Sequence, residues 1–260
     1  MQAGFWTAPS AKLVNISTRL PVLGGDNVLI GGFIVTGTQS KKVIIRGIGP
    51  SLPLAGALAD PTLELYQGDT LLESNDNWMD SPNKQAIIDT TIPPSNPLES
   101  AIVPSVAPGA YTAIVRGVNN GTGIGVVEAY DLDQTANSEL ANISTRGFVQ
   151  TGDSVLIAGT IIVGEAQRVI VRALGPSLPL SGALADPTLE LRDGNGGLLD
   201  SNDNWVDSPN KQAIIDSTIP PSNDLESAIL RTLTPGNYTA VVRGVDGSTG
   251  IAVVEVYALN

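Results

Sequence analysis

The chain has no cysteine and no histidine among its 260 residues, and aromatic residues make up 4% of it. Without cysteine it can form neither disulfides nor thiolate metal sites. Without histidine, Ser-His-Asp and Cys-His catalytic arrangements and His-ligated zinc sites are excluded. Paired carboxylates of the glycosidase kind remain chemically available, but the acidic residues lie in turn-like contexts and nearly all are duplicated. We therefore predict that the protein is not an enzyme.

Positive charge is also scarce, with 14 Lys and Arg against 26 Asp and Glu and a net charge of −12. This balance argues against nucleic acid or an anionic membrane surface as partner, because both require clustered basic residues. No apolar run approaches the roughly 18 residues of a membrane-spanning helix. The first twelve residues lack the basic and apolar regions of a signal peptide. Either a leader has been removed or the protein stays inside the cell.

What the chain does contain is a long internal repeat. Gly49–Leu65 and Gly175–Leu191 differ at one of 17 positions, and Ser74–Ser100 and Ser201–Ser227 differ at three of 27. The period of about 127 residues is close to the size of one domain and far above that of solenoid repeats. The sequence therefore predicts two tandem domains, each with its own core.

The predicted boundaries are an N-terminal extension at 1–12, a first repeat at 13–133, a linker at 134–139 and a second repeat at 140–260. The extension carries Phe5 and Trp6, two adjacent large apolar residues that should not remain in water. Either the extension folds back as an edge strand of its own domain, or it adds to a sheet edge of a neighbouring molecule. Head-to-tail repetition of such a contact would build a filament from this chain alone.

Short segments rich in Val, Ile, Leu, Thr and Tyr, separated by Gly, Pro, Asn and Asp, predict strands throughout both repeats. With 28 Gly and 18 Pro, helices have little room, and Asn83–Asp89 with its copy Asn210–Asp216 is the one helical candidate. The predicted fold is all-β, with two tandem antiparallel β-sandwiches of jelly-roll or Greek-key type that arose by internal duplication. Tyr111 and Tyr238, which follow Pro-Gly, are predicted to pin a corner through their hydroxyls.

The richest polar segment is a loop that occurs in both repeats and places four oxygen-bearing side chains within six residues. These residue types suit calcium, which takes six to eight oxygen ligands, although the spacing is not that of an EF-hand. In the alternative, the Asn and Asp side chains cap turns by bonding their own backbone. Glu99 and Glu226 are interpreted as exposed strand residues, with a distant calcium ligand as the alternative. The candidate calcium ligands are Asn75, Asp76, Asn77, Asp80, Asn202, Asp203, Asn204 and Asp207.

Trp78 and Trp205 lie inside these loops. An exposed indole could stack on a sugar ring, which makes the two residues candidate ligand-binding positions. A single loop tryptophan more often covers the edge of the core and donates its N–H to a carbonyl. The repeated arginines, among them Arg46 and Arg172, are expected to form structural ion pairs, with Asp60 and its copy Asp186 as natural partners.

Two parts of the repeat resemble known modules. The segment PTLELRDGNGGLLDSNDNW, together with LESAILRTLTPGNYTAVVRG, is similar to the bacterial pre-peptidase C-terminal module, a calcium-associated β-sandwich of secreted proteins. The opening block, with NISTR and GDNVLIGGFIV, resembles repeat modules of large exported bacterial surface proteins. The resemblance implies export and a binding or architectural role without catalysis.

These observations predict an extracellular or cell-surface structural protein. It would be a subunit of a filament or adhesive assembly built by head-to-tail strand addition, with other copies of itself as partners. The alternative is a calcium-dependent module that binds polysaccharide or another surface ligand. Calcium is the only cofactor that either prediction includes.

Overall fold

The computed structural model describes residues 12–25 and 27–259. Phe5 and Trp6, with all of the predicted extension except Lys12, lie outside the described residues. In the first copy the strands are β1 (Lys12–Val22), β2 (Leu29–Gly37), β3 (Lys41–Ile48), β4 (Pro61–Gln67), β5 (Thr70–Asn75), β6 (Ser100–Ile102), β7 (Ser105–Val106), β8 (Gly109–Gly117) and β9 (Gly123–Asp131). In the second they are β10 (Ser138–Val149), β11 (Leu156–Val163), β12 (Gln167–Leu174), β13 (Pro187–Asp193), β14 (Leu198–Asn202), β15 (Ser227–Leu233), β16 (Gly236–Gly244) and β17 (Gly250–Leu259).

Each copy is an antiparallel jelly-roll sandwich. In the first copy one sheet has the order β1–β9–β3–β6 and the other the order β2–β8–β4–β5. The second copy repeats this topology as β10–β17–β12–β15 and β11–β16–β13–β14. This alternation between two facing sheets is the jelly-roll arrangement, so the predicted fold class is confirmed.

Helix is confined to short segments. The helices α1 (Lys84–Asp89) and α2 (Lys211–Asp216) coincide with the predicted candidates to within one residue. The corner tyrosines behave as predicted, since Tyr111 donates its hydroxyl to the Ala107 carbonyl and Tyr238 to the Thr234 carbonyl, both at 2.8 Å. Within the described ranges, no helix has both the length and the apolar character to cross a membrane.

The two sandwiches are joined edge to edge by backbone pairing. Strand β10 pairs with β2 of the first copy, and β1 pairs with β11 of the second. The result is two continuous eight-stranded sheets, and each copy supplies half of each sheet; the two-residue strand β7 pairs with β3 alongside β6. Residues of both copies form one core cluster between the sheets, whereas the sequence predicted a separate core for each copy. The predicted linker is also shorter than expected, because Ser138 and Glu139 already belong to β10.

The first strands of the two copies meet in the middle of this shared core. Ile16 and Leu20 of β1 belong to the core cluster, and alternate residues of a strand point to the same side. Thr18 therefore also points inward, where its hydroxyl lies 2.7 Å from that of its counterpart Thr145. Both threonines are fully buried, so this hydrogen bond satisfies two polar groups that have no access to water.

We expect Thr18→Val alone to destabilise the protein by about 1–3 kcal/mol, because it leaves the buried Thr145 hydroxyl without a partner. Thr18→Val combined with Thr145→Val should recover most of this loss, since both polar groups are then removed. Chemical unfolding of the wild type, both single variants and the double variant measures the coupling. Additive single effects would contradict the pairing.

The register places the major loops of both copies at the same end of the molecule. Arg146, near the end of β10, lies opposite Ile30 at the start of β2, and Arg19 of β1 lies opposite Ile157 at the start of β11. Arg19 also donates from Nη2 to the Asp153 carbonyl of the other copy at 3.3 Å. We call this the loop end. It carries residues 23–25, 27–28, 49–60, 76–99 and 118–122 of the first copy, and 150–155, 175–186, 203–226 and 245–249 of the second.

Candidate functional site

A buried carboxylate holds the two longest loops of each copy together. Glu99 is fully buried, and its Oε1 accepts hydrogen bonds from the backbone N–H groups of Gly49 and Ser51 at 3.2 and 3.0 Å and from the Ser51 hydroxyl at 2.5 Å. Its Oε2 accepts one from the Asn96 N–H at 3.1 Å. The interpretation of Glu99 as an exposed strand residue is therefore wrong, because the backbone donors of two loops converge on its carboxylate.

We call the carboxylate and the loop groups that donate to it the latch. The second copy repeats the latch with Glu226, which is also fully buried. Its carboxylate accepts from the N–H groups of Gly175, Ser177 and Asn223 and from the Ser177 hydroxyl. In each copy the latch joins the two nearly identical loop segments, 49–60 to 76–99 in the first and 175–186 to 203–226 in the second. Glu99 and Glu226 are thus unavailable as calcium ligands in this conformation.

The tryptophans of these loops face the protein. Trp78 is 7% and Trp205 9% exposed, and each belongs to a small apolar cluster on the outer face of a sheet. Trp78 donates its indole N–H to the Asn96 carbonyl, and Trp205 to the Asn223 carbonyl, both at 3.0 Å. A buried ring offers no face to a sugar, so the structure does not support these two residues as a stacking platform.

Some of the predicted calcium ligands make hydrogen bonds within the fold. Asn75 is used by the fold, since its Oδ1 accepts from the Ala101 N–H at 2.9 Å and its Nδ2 donates to the Asn77 carbonyl at 3.3 Å. Asp76 and Asp80 are exposed, and Asn77 is partly buried. Asn202, Asp203, Asn204 and Asp207 repeat these environments. Asn75 and Asn202 thus join this loop to the strand that follows it, whereas Asp76, Asn77, Asp80 and their copies are not explained by these bonds.

Asp60, the last residue of the 49–60 loop, lies close to the 76–99 loop, which the sequence did not predict. The Ser100 hydroxyl donates to the carbonyls of both Pro61 and Asp76, and the Val118 N–H donates to the Asp60 carbonyl at 2.9 Å. These bonds bring three loops together around the Asp60 side chain. Among the described residues, no donor reaches the buried Oδ1 of Asp60 or the buried Oδ1 of Asn77.

The second copy has the same pair of oxygen atoms, on Asp186 and Asn204, buried and without a hydrogen-bond donor in the described chain. Burial raises the pKa of Asp60, and the negative charge of Asp76 raises it further. The pKa of Asp186 is raised by burial and then by the charges of Asp203 and Asp246. Each copy therefore has a carboxylate that is destabilised by partial burial and by its acidic neighbours.

Asp60 and Asp186 were expected to pair with arginines, and this expectation is wrong. Arg46 instead forms an ion pair with Glu128 and donates from Nη1 to the Ile92 carbonyl at 2.8 Å. Arg172 makes the equivalent contacts with Glu255 and Ile219. Since Ile92 and Ile219 belong to the long loops, these arginines fasten the loops to the sheet. Among the described residues, no Lys or Arg forms an ion pair with Asp60 or Asp186.

A cation beside Asp60 or Asp186 would offset the unfavourable charge. Carboxylate and amide oxygens are suitable ligands for calcium. In the part of the chain that the structure describes, however, no three acidic side chains lie close enough to hold a metal by themselves. A bound cation would therefore take most of its ligands from backbone carbonyls and water.

We expect Asp60→Asn with Asp186→Asn to raise the Tm in metal-free buffer at pH 7 by roughly 1–4 °C. A carboxyl whose pKa is raised in the folded state favours folding while it is protonated. That advantage is complete below the unfolded pKa of about 3.9 and is lost as the pH rises through the folded pKa. The gain over wild type should therefore disappear in melts near pH 3. A gain that persists there would contradict the electrostatic explanation.

Most exposed residues of the 49–60 and 76–99 loops are the same in the second copy, with Met79/Val206 and Pro97/Asp224 among the exceptions. Ile88 and Leu98 are large exposed apolar residues, and their copies Ile215 and Leu225 are equally exposed. The exposed turns at the opposite end differ, as in Asp69–Thr70 against Asn195–Gly197. A duplicated surface at one end of the molecule is a candidate for ligand contact.

No family model matches the chain, and no curated protein matches it. Weak similarity is found to solved structures. A DUF4785 family protein from Legionella pneumophila is 8% identical with a TM-score of 0.26, over 96% of this chain and 84% of the other. A protein of Sulfolobus Turreted Icosahedral Virus is 11% identical with a TM-score of 0.26, over 96% and 89%. Scores this low carry no argument about function.

Proposed function

We propose that this chain is a non-catalytic extracellular structural protein that attaches to a repetitive surface through its loop end. The observation that carries the proposal is that both copies direct the same loops toward the same end of one continuous body. Two equal surfaces facing one direction suit a ligand that repeats, such as a polysaccharide or a cell-surface polymer. Bivalent contact can raise the overall affinity by 10²–10⁴-fold without any new type of contact.

Adsorption to insoluble polysaccharides and to bacterial cell-wall sacculi tests the proposal. The variants are Ile88→Asp, Ile215→Asp and both together, because these residues are exposed and equivalent. Each single change should weaken adsorption by a factor of ten or more through loss of bivalency, and the double change should abolish it. Glu165→Ala, in an exposed turn at the opposite end, is the control and should bind normally. Equal binding by all variants would refute the proposal.

Calcium is the cofactor that we propose for this loop end, on the basis of Asp60, Asp186 and their neighbours. Calcium should raise the Tm of the wild type relative to chelator, because a ligand that binds only the folded state stabilises it. Asp60→Asn with Asp186→Asn should remove this calcium-dependent rise. A wild-type Tm that does not change with calcium would remove calcium from the proposed function and leave the attachment proposal intact.

A filament built by strand addition is the second candidate. It is favoured by the way the two copies already join, since β2 and β10 pair through main-chain hydrogen bonds at their sheet edges. Strands β5 and β14 each pair with a single neighbour among the described strands, and β5 carries the exposed Leu71 and Leu72. Electron microscopy of the wild type and of a variant lacking residues 1–11 tests this candidate. Filaments that persist in the shortened variant would exclude the extension as donor strand.

A further inference from the structure

The amine of Lys41 is a buried nucleophile that lies far from the loop end. Lys41, the first residue of β3, is fully buried, and its Nζ lies 2.9 Å from Oδ2 of Asp131, the last residue of β9. The side chains of Lys41 and Asp131 are 0% and 1% exposed. Val43 and Ala129, two positions away on the same strands, belong to the core cluster. The amine and the carboxyl therefore lie at the margin of the apolar interior, at the end of the molecule opposite the loop end.

An ion pair in this position is expensive, because both charges lose their hydration. The protein supplies few other partners. Nζ of Lys41 also donates to the Asp133 carbonyl at 2.6 Å, and Oδ1 of Asp131 accepts from the Asp133 N–H at 2.8 Å. The amine nitrogen is thus held against one carboxyl oxygen while a backbone donor binds the other.

We propose that Lys41 and Asp131 join in an intramolecular isopeptide bond. The Lys41 ammonium transfers a proton to Oδ2 of Asp131, and the neutral Nζ attacks Cγ. The charge that develops on Oδ1 is stabilised by the Asp133 N–H. The C–Oδ2 bond then breaks, and the oxygen leaves as water with a second proton from the nitrogen. An ammonium and a carboxylate become one amide and one water, so atoms and charge balance and no oxidant is needed.

Two features support a covalent bond at this place. Fixing two reactants in contact can supply an effective concentration of 10⁵–10⁸ M, and adjacent strands hold this pair permanently. The chain also lacks cysteine, so no disulfide can cross-link it. The bond would tie β3 to β9 at the point where β9 leads into the connection between the copies. There it would resist peeling of β9 under load.

The second copy provides an internal comparison. Gln167 and Ala258 occupy the equivalent positions, and the Gln167 side chain donates to the Arg168 and Leu259 carbonyls at 2.9 and 2.8 Å. The same fold is therefore built there from residues that cannot react in this way. The pair of substitutions Lys41→Gln and Asp131→Ala gives the first copy the residues of the second.

The intact mass of the folded, then denatured, full chain tests the proposal directly. The wild type should be lighter than its sequence by one water, and a tryptic digest should contain a branched peptide that joins Lys41 to Asp131. Lys41→Arg retains the charge but should show the full mass, as should the Lys41→Gln, Asp131→Ala variant. The Gln167 peptide should remain linear. A wild-type mass equal to that of the sequence after prolonged incubation, with trypsin cleaving after Lys41, would overturn the proposal.

Discussion

Replacing Glu99 by alanine is expected to lower the free energy of unfolding by roughly 3–5 kcal/mol, which corresponds to a Tm loss on the order of 10 °C. The change removes a fully buried carboxylate and leaves the N–H groups of Gly49, Ser51 and Asn96 without an acceptor. Each unsatisfied buried donor costs about 1–3 kcal/mol. Thermal melts followed by circular dichroism measure the loss.

Glu226→Ala should have the same effect, because Glu226 makes the equivalent contacts in the second copy. Glu165→Ala removes an exposed carboxylate and should leave the Tm within about 1 °C of wild type. The latch has no stabilising role if the three variants melt together. Because the core is shared, either latch variant should still unfold in a single transition.

Cutting the chain between the two copies is expected to leave them together. A protease site inserted between Gln134 and Thr135 would be cleaved readily, since both residues are exposed. The cut pieces remain joined by the β2–β10 and β1–β11 ladders and by the common core. Size-exclusion chromatography under native conditions should therefore show one species with the mobility of the intact 26.9 kDa protein.

Denaturing electrophoresis of the same sample supplies the control, and should show two fragments of about half the size. Two separate domains, as the repeat period suggested, would instead elute as half-size species after cleavage. That result would contradict the edge-to-edge pairing. The cut protein should also unfold in one transition whose midpoint depends on concentration, as expected for an assembly of two chains.

Local patterns in the sequence predicted most elements of each copy. Apolar segments and Gly- and Pro-rich turns predicted β2, β3, β4, β8 and β9 and their copies, but not the first strands β1 and β10. The corner role of Tyr111 depends on residues only four positions apart. The covering role of Trp78, which the sequence left as one of two alternatives, is the one that the structure supports. These features depend on short segments whose periodicity is visible without knowledge of distant partners.

The joining of the copies could not be predicted, because strand pairing over long separations leaves no local signature. β1 pairs with β9 of its own copy on one side and with β11 of the other copy on the other. β9 and β11 are both short strands rich in apolar residues, so the sequence does not distinguish a partner in the same copy from one in the other. The one local sign of contact between the copies is the inward-pointing Thr18, whose hydroxyl is hydrogen-bonded to that of Thr145 in β10.

The roles of Asp60 and Glu99 were predicted wrongly for a related reason. Glu99 and Asp60 act through backbone groups and acids that are distant in sequence, and a carboxylate bound by backbone donors has no sequence motif of its own. A signal was nonetheless present in the repeat. The segments containing Asp60 and Glu99 are among the most nearly identical between the copies, whereas many strand positions have diverged, which indicates constraints beyond the general fold.

The pairing of Lys12 with Val163 has a consequence for biosynthesis. When the ribosome has made the first copy, the outer edges of β1 and β2 still lack their partners, which arrive only with β11 and β10. Until synthesis is well into the second half, the nascent chain therefore has two strand edges with unpaired backbone N–H and C=O groups, which can associate with other chains. Contacts between residues so far apart in sequence also slow folding.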